Sequence, residues 1–222
     1  MNYTTWFHPS VSILHPDSTL GEQPDSKTDA HRPINHGDLL HVDFGVTALG
    51  LNTDIQHLAY VLPPGAGESN IPQGYLDGLK VANLLQDIVR WAMRPDVKGK
   101  TGNDVLAECH AYMKAAGFNG SVYSHPIGDW GHSAGSLIGM TNFQDGVPVL
   151  GELPMLKNSY YSVELYAEHF VPERNATMKL FLEEDVYWDD ENEIWQWVYG
   201  RQEKFHFIRS PASASSLRTQ EL

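Results

Sequence analysis

Cysteine is almost missing from this chain. Cys109 is the single one among 222 residues, so no internal disulfide can form. Its thiol falls within a predicted helix, where an ordinary packed side chain is expected. A reducing compartment, the cytoplasm, fits that usage. Long apolar runs are missing too: no stretch reaches the about 18 consecutive apolar residues of a membrane helix. The opening MNYTTWFHPS has neither the basic n-region nor the apolar h-region of a secretory signal. Basic residues are scarce, 15 Lys and Arg against 28 Asp and Glu, for a formal net charge of −13. Such a field repels nucleic acid and anionic lipid, so no nucleic-acid partner and no membrane are expected. Cations are the natural counter-charge, although the sign alone selects no ligand.

The 41% of hydrophobic residues is enough to build the core of one large domain. Residues 1–36, rich in Pro, Ser, Thr, Asp and His, predict an extended lead-in segment with a short strand near 11–14. Residues 37–209 form the main domain, and 210–222 a flexible polar tail. Residues 39–46 predict a strand, 48–52 a turn around Gly50, and 53–62 a returning strand, together a β-hairpin. After the break Pro63-Pro64-Gly65-Ala66-Gly67, the recurrence of Leu76, Leu79, Leu84, Leu85, Ile88 and Val89 predicts a helix over about 75–93. Thr101 or Asn103 caps a second helix over about 104–116, with Val105, Leu106, Cys109, Tyr112 and Met113 along one side before Gly117 ends it. Later strands are expected at 159–165, 178–182 and 194–199.

Five donors fall where a fold can gather them: Asp43 and Asp54 on the two arms of the hairpin, His125, then Glu164 and Glu183 on later strands. Two adjacent divalent ions need several carboxylates, because bridging oxygens must offset charges that repel at roughly 3.5 to 4 Å. Asp43 lies between Val42 and Phe44 in an apolar strand, where an ionised carboxylate is costly unless paired or metal-bound. His125 and His132 are seven apart with glycines between them, which permits close approach of backbone to a ligand. One can bind metal, and an ordinary near-neutral pKa would make His132 a general acid or a hydrogen-bond donor to a tetrahedral intermediate.

These residues resemble the pita-bread metallopeptidases: methionine aminopeptidases, Xaa-Pro aminopeptidases and prolidases of peptidase family M24, with creatinase as a metal-free relative. Gly37-Asp38-Leu39-Leu40-His41-Val42-Asp43-Phe44-Gly45 looks like the family's G-D-L-h-x-h-D-h-G strand, and Asp54 follows Asp43 by the family's eleven positions. His125-x-x-Gly128-x-x-x-His132 is similar to its H-x-x-G-x-x-x-H segment, Val163-Glu164 to the strand of the fourth ligand, and Leu182-Glu183-Glu184-Asp185-Val186 to its h-E-D-x-V strand.

The resemblance implies an α+β fold: a curved antiparallel sheet with helices on its outer face. It also implies metal ligands Asp43, Asp54, His125, Glu164 and Glu183, with Glu184 the alternative last ligand. Glu164 and His132 would be the catalytic groups, with two Mn, Co, Zn or Fe ions, a peptide substrate cleaved at or near its N-terminus, and a homodimer left open. Xaa-Pro cleavage is favoured slightly over the methionine type. The flanks depart from the family: Leu165-Tyr166 replaces its Pro-Gly, Phe181 the Arg before the last ligand, and His57 the Arg after the second Asp. Substrate preference is poorly inherited as a result. Asp43 also lies so near the start that the family's leading helices are not expected.

Two other readings compete. Gly131-His132-Ser133-Ala134-Gly135 matches the G-x-S-x-G nucleophile elbow, so a serine hydrolase of the α/β-hydrolase fold could use Ser133 with Asp189 or Asp190 and His206. The glycines and Pro126 around it argue against the strand and helix an elbow needs. The other reading is a catalytically silent binding module, since relatives of this fold serve as interaction or chaperone domains after losing their ligands; here all five donors are present.

Overall fold

The computed structural model describes residues 3–15, 33–95 and 99–209. Its strands are β1 (Thr4–Thr5), β2 (Ser10–Ile13), β3 (Leu39–Phe44), β4 (Val46–Ala48), β5 (Leu51–Asn52), β6 (Ile55–Leu62), β7 (Gly120–Val122), β8 (His125–Gly128), β9 (Gly131–His132), β10 (Tyr160–Val171), β11 (Ala176–Asp189), β12 (Ile194–Trp197) and β13 (His206–Arg209). Two helices, α1 (Gln73–Ala92) and α2 (Gly102–Ala116), lie between β6 and β7. The main sheet runs β2-β3-β6-β11-β10-β8-β9, with β12 on β11, β7 on β10 and β13 on β6. Its pairs are antiparallel except β13 with β6. This is the curved antiparallel sheet with helices of the pita-bread fold.

The predicted hairpin exists in modified form. β3 and β6 pair from Leu39↔Tyr60 to Phe44↔Ile55, but the chain then leaves this sheet at Gly45. It forms a short second hairpin, β4 with β5, joined by β1 in a separate three-stranded sheet. The turn is only Leu49 and Gly50, both at positive φ (54° and 83°), the conformation that twists a two-residue hairpin correctly. Residues 48 and 51–52 of the expected turn are therefore strand.

Helix α2 starts as local chemistry dictates. Of the two caps considered, Thr101 is the one used: its hydroxyl accepts from the Asp104 backbone, Asp104 reaches back to the Thr101 N–H, and Gly117 in the left-handed region (φ 76°) closes the far end. In α1, Tyr75, Leu79, Ala82, Leu85, Val89 and Ala92 recur three or four apart and are buried, while Leu84 turns outward. This stripe packs on β10 and β11. Gly78 comes so close that a Cβ there would lie 3.0 Å from Leu180.

Leu180 pairs with Ala167, Leu182 with Leu165, and Glu184 with Val163, so these residues share the helix-facing side. Glu164 and Glu183, paired with each other, alternate to the opposite side. Cys109 is fully buried in the helix layer, and burial pushes its thiol up to about 12. It is a packed apolar side chain, as expected.

β10 and β11 run to 12 and 14 residues, longer than their apolar cores predict. Tertiary pairing along their whole length sustains them, and Asn175 in the left-handed region (φ 49°) turns the chain between them. The proposed 210–222 tail and much of the 1–36 segment lie outside the described residues. No described helix is long and apolar enough to cross a membrane.

Candidate metal centre

Register alone builds most of the site. Asp43 on β3 pairs with Gln56 on β6, Gln56 with Glu183 on β11, and Glu183 with Glu164 on β10. Directly opposed residues project from the same face, so three carboxylates and one amide stand in a row across four strands. Two residues before Gln56, and so on the same side by alternation, comes Asp54. His125 enters from β8, opposite Ser162 of β10, which precedes Glu164 by two. All five sequence-predicted ligands are thus brought to one place.

The donors sort into overlapping groups whose atoms lie within 4.8 Å of one another: Asp43, Asp54 and Glu183; His125, Glu164 and Glu183; and Asp54, His125 and His132. Glu183 belongs to both carboxylate-rich groups and is 1% exposed. Glu184 does not face them. Its Oε1 meets His57 Nε2 at 2.8 Å and accepts the Gln202 N–H at 2.8 Å on the other side of the strand.

The chemistry of the donors fits divalent cations. His125 Nδ1 lies 3.0 Å from the Pro126 carbonyl; a carbonyl only accepts, so Nδ1 carries the proton and Nε2 keeps its lone pair. That lone pair faces Glu183 Oε1 at 3.3 Å and Glu164 Oε2 at 3.6 Å, a repulsive arrangement unless a cation lies between them. His125 Nε2, Asp43 Oδ1 and Asp54 Oδ1 are buried without a hydrogen-bond partner, which native interiors avoid unless another group binds there.

The same crowding pushes the carboxyls up. Burial, then the charges of Glu183, Asp43 and Asp185, raise Asp54 to about 9. Burial and neighbouring carboxylates hold Glu164 well above the usual range. Burial raises Asp43 to about 6, and it raises Glu183 against the hydrogen bond from Ser162 at 2.5 Å. Ionising the four together would require a counter-charge, which divalent cations can supply.

His132 stands at the mouth, its side chain 67% exposed, with Nε2 3.9 Å from Asp54 Oδ2 and its ring 4.0 Å from that of His125. Partial burial and then His125 push it down to about 4, so it is a neutral imidazole at pH 7 rather than the near-neutral titrating acid expected from its ordinary pKa. Trp6 packs edge-on to it at 5.7 Å and donates Nε1–H to the Thr53 carbonyl at 2.8 Å. Gly131 and Gly45 leave the space for that indole; a Cβ at either would lie 2.3 or 2.0 Å from it.

Sequence reasoning missed Trp6, Gln56 and Asp185. Asp185 accepts the Asp54 N–H at 3.1 Å, and burial raises it to about 8. The alternation that selects Glu183 also points to Asp185 two residues on, and the step from Asp54 points to Gln56.

The nucleophile-elbow reading is corrected. Ser133 follows a two-residue strand, no helix succeeds it, and its Oγ donates to Asp129 at 3.2 Å. Asp189 caps a turn at Glu191 and Asn192, Asp190 accepts from Trp188, and His206 pairs with His57. No triad forms around Ser133 from these residues.

A family model described as metallopeptidase family M24 matches residues 2–189. Similar solved structures include a dipeptidase from Pyrococcus horikoshii OT3, with TM-score 0.63 and 17% identity over 92% of this chain and 49% of that one. An X-Pro aminopeptidase from Thermotoga maritima MSB8 gives TM-score 0.59 and 17% identity over 92% of this chain and 50% of that one. The N-terminal domain of FACT complex subunit SPT16 from Eremothecium gossypii gives TM-score 0.61 and 11% identity over 93% of this chain and 43% of that one. At these identities the likeness is one of fold, and the chain spans about half the length of these relatives. No curated protein matches the chain in sequence.

Proposed function

The chain belongs to metallopeptidase family M24, and on that premise we propose that it hydrolyses peptide bonds at or near peptide N-termini, with Xaa-Pro bonds preferred. In this reading two divalent ions are held by Asp43, Asp54, His125, Glu164 and Glu183, and Glu183 serves both. The observation that carries it is the sharing of Glu183 between the His125–Glu164 group and the Asp43–Asp54 group, the arrangement a bridging carboxylate needs. The preference for Xaa-Pro bonds rests on the likeness to the X-Pro aminopeptidase.

When bound, the ions supply Lewis acidity and lower the pKa of water toward neutrality. The protein's own groups supply the rest. Glu164, with Oε2 turned to the centre and Oε1 held behind it, takes the proton from the attacking water and delivers it to the leaving amine. His132, neutral and exposed at the mouth, donates its N–H to the scissile carbonyl as negative charge develops there. Loss of one such donor commonly costs about 3 to 4 kcal/mol in the barrier. Asp185, through the Asp54 backbone, holds the start of β6 in register with β11.

A panel of Met-Ala, Xaa-Pro-Xaa and Xaa-Pro peptides, assayed with Mn or Co added and again with a chelator, tests the reading. Hydrolysis that requires the ion and is strongest at Xaa-Pro bonds is expected. Silence of the metal-loaded protein across the panel overturns it.

A further inference from the structure

Within the row across the sheet, a neutral side chain stands between Asp43 and the two glutamates. Gln56 is 1% exposed, and its amide donates through Nε2 to Glu164 Oε1. Its own carbonyl oxygen, Oε1, lies 2.9 Å from His41 Nε2. Since a carbonyl only accepts, the imidazole donates, which leaves His41 protonated at Nε2. His41 is itself buried, 5% exposed, with its ring 5.3 Å from that of Phe181.

These contacts fix the amide's sense. An ionised carboxylate only accepts, so the NH2 faces Glu164, with Glu183 beside it, and Oε1 faces His41; the flipped amide would set a carbonyl against those carboxylates. The Glu164 backbone is pinned by Ser124, whose Oγ accepts from its N–H at 3.0 Å and donates to its carbonyl at 3.1 Å. The carboxylate beyond has one oxygen held by Gln56 and the other, Oε2, 3.6 Å from His125 Nε2.

We propose that Gln56, oriented by His41, is a positioning residue for Glu164, holding Oε1 so that Oε2 alone is presented to the centre. The inference rests on the peptidase reading for its kinetic consequence, though not for its structural one. The amide also adds no negative charge where a fifth carboxylate would deepen the repulsion.

The test uses Gln56→Met, which keeps the shape and cannot donate, and His41→Leu, singly and together, in the Mn-loaded full chain acting on an Xaa-Pro peptide. Outer-shell partners of metal ligands commonly account for about 10- to 100-fold in activity or metal affinity. Gln56→Met should lower kcat by about that factor while KM moves by less than about threefold. His41→Leu should lower kcat by less, and the double variant should be no worse than Gln56→Met, because His41 acts through Gln56. His41→Gln, which still offers an N–H to the Gln56 carbonyl, should recover most of the loss.

Calorimetric titration of Mn into the metal-free proteins provides a readout independent of turnover. Gln56→Met should weaken binding by about tenfold, and combining it with Glu164→Gln should add little. Unchanged kcat and Mn affinity in folded Gln56→Met, or losses that simply add between positions 41 and 56, overturn the proposal. If the wild type binds Mn and cleaves no peptide, the peptidase reading fails, and the titrations still decide whether Gln56 positions Glu164.

Discussion

Glu183, the proposed shared ligand, is also a buried carboxyl whose ionisation the fold disfavours. It is buried, shared by two donor groups and held by Ser162. Glu183→Gln keeps the acceptor for Ser162 and removes the charge. Because burial raises Glu183 to about 8, the metal-free variant is expected to melt near the wild-type temperature at pH 7 and above it at pH 9, where the wild type must bury the charge. Activity should fall by at least about a hundredfold, beyond what loss of an outer-shell partner produces, with fewer ions retained after dialysis. Elemental analysis beside a thermal melt reads both; a variant that keeps the wild-type ion count and turnover contradicts the bridging role.

Much of this centre was legible in sequence because Asp43, Asp54 and Glu183 sit in strand motifs that resemble the family's. Pairing of Glu183 with both Gln56 and Glu164 turns it toward the other donors, while Glu184 faces His57. Gln56 and Trp6 were missed. Alternation from Asp54 places Gln56 on the right face, but a neutral amide carries no chemical signature until its cross-strand neighbours are known, and an indole near the N-terminus gives no hint that β1 pairing will carry it to the mouth of the site.

At the level of elements, helices and strands differed in how well they could be foreseen. Both helices begin and end within about two residues of expectation, the usual scatter of helix boundaries, since capping and apolar periodicity are written into each segment. Strand limits depend on partners distant in sequence. β7 and β9 are too short to announce themselves, β8 carries Pro126 and Gly128, which read as a loop, and the β4–β5 hairpin was folded into a single predicted turn.

Gly45 marks the exit from β3 into that hairpin. A Cβ there would lie 2.0 Å from Trp6 Nε1 and 2.2 Å from the Thr53 carbonyl, and the carbonyl is backbone that cannot swing aside. Gly45→Ala is expected to destabilise by about 1 to 3 kcal/mol, the usual range for overpacking. It should also expel Trp6 from its place beside His132, seen as a red shift of tryptophan emission. Wild-type stability in denaturant with unshifted emission would show that the junction tolerates the methyl group.

Across the whole molecule a few of the 28 acidic residues are buried together at the centre, and stability should depend on pH in consequence. Asp54 is raised to about 9, Asp185 to about 8 and Asp43 to about 6, from an ordinary 3.8. In each case the folded state holds a proton that the unfolded chain releases near its ordinary value. Between those limits the folded protein binds more protons than the unfolded one, so the derivative of unfolding free energy with pH is negative. The stabilisation is complete below the ordinary pKa and is lost as pH climbs through the raised values.

Carboxylates lowered by hydrogen bonds, such as Asp104 at the start of α2, act oppositely. Their contribution is present above the ordinary pKa and lost as pH falls through the lowered one, which sets the acid limit. Divalent ions bind the ionised carboxyls in competition with protons, so their stabilising effect should grow as pH rises. The chelated protein is therefore expected to melt at its highest temperature near pH 5 and progressively lower toward pH 9. Saturating Mn should flatten or reverse that decline, with the gap between the two curves widest at alkaline pH. Scanning fluorimetry at unit pH steps, with chelator and with Mn, makes the comparison. A metal-free melting temperature that holds steady or climbs from pH 5 to 9 would mean that the buried carboxyls are already ionised and compensated by the protein itself, and the centre would then have no need of cations.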